Sequence, residues 1–422
     1  MWKSLGTLLE SVEIPPMFSA RQRFSCRQLE DWQSALEQAL RRGAAGGAVR
    51  PGMRIAVTAG SRGIDHIAEY LRYIGGFLRA RGAEPFVVPA MGSHGGATAA
   101  GQVLVLEELG ITEETVEMPI LASMDTVFAG RTPGGLPAYT DRIAGEADGI
   151  VLVNRIKAHT QFRGDYESGL MKMLAIGLGK QRGAECCHRL GLAHMPENVK
   201  DISCFLLERL PVLFGIGLLE NAYDRTMEIA GIPARKIPEE EPELLRRAKA
   251  HMPRICVPDL DVLIVDRIGK NFSGSGMDPN VTGRFYSREI PAVPAAQRIA
   301  VLGLSPETHG NACGLGVADT TTRRVVDSLD RESMYINGLT SRVAESGRVP
   351  LYFDSDREAI QAAVKLAGEA DPSRLRMARI PNTMELEYIQ LSRPLLEEAQ
   401  KLGLEILGEA VPLPFDTEGN LL

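Results

Sequence analysis

Short apolar runs that stop at glycine-rich or polar loops constrain this chain most. Met53 to Thr58 (MRIAVT) ends in Ala-Gly-Ser-Arg-Gly, and Pro85 to Pro89 (PFVVP) leads into Met91-Gly-Ser-His-Gly-Gly. Gly149 to Val153 (GIVLV) leads into a polar loop from Asn154 to Ser168. A run that is apolar throughout but too short for a helix reads as a strand buried on both faces. Amphipathic stretches, Gln28 to Arg42, His66 to Arg81 and Thr98 to Leu109, read as helices between these strands. Such alternation predicts βαβ units and a mostly parallel sheet. Ligands of open α/β sheets bind outside the carboxyl ends of the strands. The loops beginning near Ala59, Met91 and Asn154 are therefore expected to line one crevice.

The pattern restarts after a charged stretch, Arg235 to Arg254, which holds Pro238, Pro242 and a Glu-rich run and reads as a helical linker. Leu260 to Val265 (LDVLIV) opens a second α/β set. It continues through Ile299 to Leu304, a helix-like Asp319 to Leu329, Pro350 to Phe353, and helices at Arg357 to Ala367 and Met384 to Leu402. The expected architecture is two α/β domains with mostly parallel sheets, residues 1–255 and 256–422, with the active site in the crevice between them.

Composition excludes several classes. With 47 Lys and Arg against 54 Asp and Glu, the formal charge is −7, which argues against a nucleic-acid scaffold. No apolar run approaches the ~20 residues of a membrane helix, and Met1 to Pro16 lacks the apolar core of a signal peptide. Cys26, Cys186, Cys187, Cys204, Cys256 and Cys313 show no C-x-x-C spacing, so neither a zinc ribbon nor a disulfide framework is indicated. A reducing cytoplasm is the expected compartment.

Three of the seven histidines sit in unusual places. His94 and His159 follow predicted strands, and His188 follows Cys186 and Cys187. Each reads either as a structural histidine or as an acid, base or ligand. Lys172, flanked by Leu170, Met171, Met173 and Leu174, reads either as a snorkelling helix lysine or as an amine in a dry pocket. A desolvated amine is a nucleophile or a covalent attachment point. Gly177-Leu-Gly-Lys180 lacks the spacing of a phosphate-binding P-loop, so its glycines are expected to break a helix. Arg62 suits a carboxylate or phosphate, or is a solvated loop residue. Lys270, in Lys-Asn-Phe-Ser-Gly-Ser-Gly after the first strand of the second domain, is expected to suit an anion at a domain interface.

In this order the motifs resemble the nickel-pincer lactate racemase family. The resemblance is carried by Gly92-Ser93-His94, by His159, by Ser168-Gly169-Leu170-Met171-Lys172, and by His188, which lies 16 residues after the lysine. It implies a nickel-pincer nucleotide held covalently on Lys172 through a thioamide, with His188 as the protein's nickel ligand. It further implies His94 and His159 as acid/base partners and Arg62 as the residue that binds the cofactor or substrate anion; Ser168, within the matched motif, and Lys270, from its own loop, are the further expected binding residues. The implied activity is inversion of C2 of a 2-hydroxy acid by removal and return of hydride, and the implied partners are cofactor-building enzymes. Ala59 stands where the family often has aspartate, Leu170 replaces a glycine, and the His159–Lys172 interval is longer. These departures point from lactate towards a larger or more polar hydroxy acid, such as a sugar acid.

Two other classes remain open. One is a non-catalytic protein that binds an anion or the nickel cofactor on the same scaffold. The other is a dinucleotide oxidoreductase, disfavoured because no G-x-G-x-x-G follows the first strand.

Overall fold

The computed structural model describes residues 3–189, 191–286, 290, 295–341, 343–369 and 371–422. The chain forms two compact units, Ser25–Met252 and, separately, Met1–Phe24 with Pro253–Leu422.

The first unit is built on a five-stranded sheet. Arg54–Ala59 lies inside it, pairing in parallel with Glu84–Pro89 on one side and Gly149–Arg155 on the other. Val212–Glu220 extends the sheet in parallel, and Thr226–Pro233 closes it as an antiparallel edge. Strand side chains alternate between two cores. Ile55, Val57, Val87, Val151 and Val153 face a core under helices Trp32–Gly43 and Ile67–Arg79, whereas Ala56, Phe86, Val88, Ile150 and Leu152 face the other. Helices Met195–Leu207 and Ile237–His251 cover that second core. This two-faced burial is why the strands read as continuous apolar runs.

Helix starts follow local chemistry. The Asp31 carboxylate accepts from the Ser34 amide at 3.0 Å, and the Thr98 hydroxyl accepts from Gly101 at 3.0 Å. The charged linker stretch forms helix Ile237–His251; Pro238 sits in its first turn, where no amide donor is needed.

The second unit holds an eight-stranded sheet. Leu351–Phe353, Thr320–Thr322, Ala295–Val301, Asp259–Val265 and Met377–Ile380 run in parallel, in that order. Tyr388–Ser392, Met17–Arg21 and Glu405–Ile406 then add antiparallel strands.

Three expectations are corrected. Residues 1–24 belong with the C-terminal half and not with residues 25–252, because Met17–Arg21 is a sheet strand whose Met17, Phe18 and Ala20 are buried. The segment Met384 to Leu402 is not one helix. Tyr388–Ser392 is a strand, and only Leu396–Lys401 is α-helical, since Pro394 cannot continue a helix from residues before it. Asp319 to Leu329 divides into strand Thr320–Thr322 and helix Arg323–Asp327, where the Thr322 hydroxyl caps the turn. Among the described residues no helix is long and apolar enough to cross a membrane.

Phe18 is fully buried in the second unit, so Phe18→Ala should remove ~3–5 kcal/mol of stability. Hydrogen exchange of the intact chain reads this as faster exchange in Met377–Ile380 and Tyr388–Ser392. Unchanged protection there would contradict the strand's place in the sheet.

Candidate active site

Strand order in the first unit reverses at Arg54–Ala59: the chain steps to Glu84–Pro89 on one side, then to Gly149–Arg155 on the other. Parallel pairing brings the carboxyl ends of these strands to one edge, where open α/β sheets bind ligands. The first loop carries Ser61 and Arg62, and the second carries His94. The Ser61 hydroxyl is hydrogen-bonded to His94 Nδ1, so the two loops touch directly. A hydroxyl gives or accepts a proton, so this contact suits either tautomer of His94.

The third loop carries His159 and is closed at its base. Lys157 and Ser168 exchange backbone hydrogen bonds of 2.9 and 3.1 Å. Inside the loop, the fully buried Glu167 accepts from the amides of His159 (2.7 Å) and Gly164 (3.2 Å), and from Lys249 Nζ (2.6 Å). The His159 ring stacks on Phe162, with centroids 4.1 Å apart. Its Nδ1 accepts from the Gln161 amide at 3.1 Å, which assigns the neutral ring's proton to Nε2. Burial, then the charges of Lys172, His188, Arg163 and Lys157, hold the His159 pKa well below 6.5.

Lys172 lies at the end of a short helical segment, Leu170–Lys172, fixed by three hydrogen bonds. Glu241 Oε2 accepts from the Met171 amide (3.0 Å), Asn154 Nδ2 donates to the Gly169 carbonyl (2.9 Å), and the Ser203 hydroxyl donates to the Met171 carbonyl (2.6 Å). A Cβ at position 169 would collide with the Glu241 carboxylate and displace the group that accepts from the Met171 amide. Burial raises the Glu241 carboxyl to about 7, against the pull of the Met171 and Leu170 amides.

Beyond Lys172 the chain forms a π-helical turn, Met173–Gly177, a device frequent at functional sites. A Cβ at Gly177 would lie 2.6 Å from the Ala90 carbonyl, so this turn packs directly on the chain leading to the His94 loop. After a break at residues 178–179, helix Lys180–His188 turns back against the π-helical segment. The expected glycine break is present, and it returns Cys187 to within electrostatic reach of Lys172.

Lys172 is half-buried, and among the described residues its amine makes no hydrogen bond or ion pair. Burial, then the like charge of Arg62, push its pKa down to about 8, with Cys187 pulling weakly the other way. An amine with a pKa near 8 is roughly 10% neutral at pH 7, against ~0.03% for an ordinary lysine. Desolvation therefore outweighs snorkelling here. Arg62 reaches the surface, yet the protein packed about its guanidinium and the like charge of Arg155 lower its pKa.

Five of the residues singled out from sequence thus share one neighbourhood. Arg62 acts on Lys172, Lys172 and His188 act on His159, and His94 meets Ser61 beside Arg62. Ser168 serves through its backbone, as the base of the His159 loop. Lys270 belongs to the other unit, where its amine donates to Asn337 Oδ1 at 3.2 Å. That unit has a cavity of about 500 Å³ lined in part by Asp266, Arg267, Ser305 and Arg324, but Asp266 is bound by Arg379 and Arg324 by Asp356. Among the described residues no three His, Cys, Asp or Glu side chains gather as a metal site.

Sequence reasoning missed the buried polar supports: Gln102, Asp141, Glu167, Lys180 and Glu241. Their one signal was a charged or amide residue inside an otherwise apolar pattern, as with Glu167 before Ser-Gly-Leu-Met.

No protein-family model matches the chain, and no curated protein matches it. Among solved structures it is similar to the lactate racemase apoprotein of Thermoanaerobacterium thermosaccharolyticum, with 10% identity and a TM-score of 0.44 over 88% of this chain and 89% of that one. It is also similar to a Thermotoga maritima protein solved by structural genomics, with 14% identity and a TM-score of 0.49 over 84% and 97%. Likenesses this distant carry no argument about chemistry, which rests on the residues.

The Lys172 environment is directly testable. Modification by an amine-acylating reagent, followed on the Lys172 peptide by mass spectrometry, should rise with pH to a midpoint near 8. A midpoint near the ordinary 10.5 would contradict a desolvated amine.

Proposed function

We propose that the chain is a nickel-pincer-dependent racemase or epimerase that inverts C2 of a 2-hydroxy acid. The observation that carries this reading is the uncommitted, half-buried Lys172 amine, with a pKa near 8, in charge range of Arg62 and His159. The donor chemistry fits. A pincer group brings two sulfurs and one carbon of its own, so the chain must supply only an attachment amine and one imidazole. Lys172 and His188 are assigned those roles. Bound there, the group would supply a hydride acceptor for C2.

The chain's own residues do the rest. The C2 hydrogen of a hydroxycarboxylate is a poor acid, because losing it as a proton crowds a second negative charge beside the carboxylate. Hydride removal coupled to loss of the hydroxyl proton leaves a neutral ketone instead. That proton needs a base on each side of the substrate, one per enantiomer, and His94 and His159 are assigned this work. To serve as a base, neutral His159 must carry its proton on Nδ1, releasing the Gln161 amide, so that Nε2 presents a lone pair to the substrate hydroxyl. His94, in contact with the Ser61 hydroxyl, begins in either state. Arg62 is assigned the substrate carboxylate or a cofactor anion. Ser168 is assigned a secondary role through the loop it closes, and Lys270 an anion-binding role within its own unit. The substrate class is a hydroxy acid larger or more polar than lactate, and maturation needs cofactor-building enzymes as partners.

Protein matured with those enzymes should invert at least one member of a panel of three- to six-carbon 2-hydroxy acids, read by chiral chromatography. Failure across the panel would overturn the proposal. His94→Ala and His159→Ala should each lower turnover on the order of 10²-fold or more with the fold intact. Near-wild-type rates in both would remove the two-base assignment. His188→Ala should lose nickel first, so unchanged nickel occupancy would remove that ligand.

A further inference from the structure

Lys180 ended the glycine-rich stretch that resembled, and was not, a phosphate loop. It is fully buried, and it adopts the left-handed backbone conformation, with φ of 53°, that a lysine seldom takes. Strained residues of this kind persist where the surroundings over-determine them. Its ammonium donates to the Pro89 carbonyl at 2.5 Å and to Gln102 Oε1 at 2.9 Å, and it forms an ion pair with Asp141 Oδ2 at 3.2 Å that lacks hydrogen-bond geometry.

Each partner leads to a different part of the site. Pro89 ends the strand from which the His94 loop leaves. Gln102, also fully buried, donates its amide to the carbonyls of Gly92 (2.9 Å) and His94 (3.4 Å). Asp141 uses its other oxygen to cap the turn Arg142–Gly145, accepting from the Ala144 amide at 2.8 Å. Lys180 itself is the first residue of the helix that ends at His188, eight residues or ~12 Å further on. Where Lys180 sits therefore decides where His188 sits.

We propose that Lys180, Gln102 and Asp141 form a buried positioning network that holds His94 in register with His188. The inference rests on the acid/base role of His94 and the ligand role of His188 argued above. Burying an ion pair is costly, and apolar residues of similar volume would fill the space without that cost. Apolar residues would not, however, tie two carbonyls of the His94 loop and the strand end to the start of the His188 helix. The network touches no substrate; it acts through the loop and the helix that it joins.

The test uses Gln102→Met, which keeps the volume and removes both bonds to the His94 loop while leaving the Lys180–Asp141 pair. The first readout is carbethoxylation of His94 in protein made without cofactor, by peptide mass spectrometry, alongside circular dichroism. Release of the loop should free His94 Nδ1 from Ser61 and raise His94 reactivity severalfold, with His159 reactivity unchanged and the spectrum of a folded protein. The second readout, in matured protein, is turnover reduced on the order of 10²-fold with the Lys172 modification and nickel content unchanged. Unchanged His94 reactivity in folded Gln102→Met would overturn the proposal. If Gln102→Met does not fold, Lys180→Met/Asp141→Asn, which removes both charges and keeps the cap, decides by the same readouts. Unfolding of both variants would assign the network to stability alone and equally overturn the positioning role. If wild-type protein inverts no hydroxy acid, the functional reading fails, while the His94 reactivity still decides the positioning claim.

Discussion

The parallel pairing of Arg54–Ala59 with a strand on each side is the constraint from which the candidate site follows. A central parallel strand is covered by helices on both faces, so polar chemistry has no place along its length. It is displaced to the carboxyl end, where Ser61 and Arg62 leave one strand, His94 the next, and the His159 loop the third. Lys172 then arrives from a segment tied to the third strand by Asn154. Most of the geometry of the site is thus inherited from hydrogen bonds between backbones.

Electrostatics gives the site its character. The charge of Arg62 reaches Lys172, those of Lys172 and His188 reach His159, and each resolved pKa among Arg62, Lys172 and His159 moves towards the neutral form, burial being the first cause. The nearby carboxylates do not cancel this. Glu167 is spent on the backbone of the His159 loop and on Lys249, and Glu241 on the start of the Lys172 segment. Such a pocket favours an anionic guest, raises the neutral fraction of the Lys172 amine and keeps the His159 imidazole neutral, which matches what the proposed function asks of them. The same economy explains the buried ion pair beneath. Removing one member of such a pair typically costs ~3–5 kcal/mol, so it can hold a loop firmly without touching the substrate.

Much of this was legible in the sequence, for physical reasons that differ by element. Met53 to Thr58, Pro85 to Pro89 and Gly149 to Val153 were plain because double-sided burial forces uninterrupted apolar runs. The hairpin Val212–Glu220 and Thr226–Pro233 was not identified. Gly215 and Gly217 weaken its strand signal, and they are there because a Cβ would press on Leu170 and Ile156. The strand Met17–Arg21 was hidden because its partners lie more than 360 residues away, at Tyr388–Ser392. Histidine and lysine identities at the site were legible as types at strand ends. Their supports were not, because Lys180 meets Pro89 and Glu241 meets Met171 only after the fold brings distant segments together.

The central claim is that Lys172 is the attachment point of a nickel-pincer group completed by His188. Peptide mass spectrometry with nickel analysis, on protein co-expressed with the cofactor-building enzymes, tests it most directly. The account expects a covalent adduct confined to the peptide that holds Lys172, with about one nickel per chain. An unmodified Lys172 and no nickel, in cells that demonstrably make the cofactor, would contradict it.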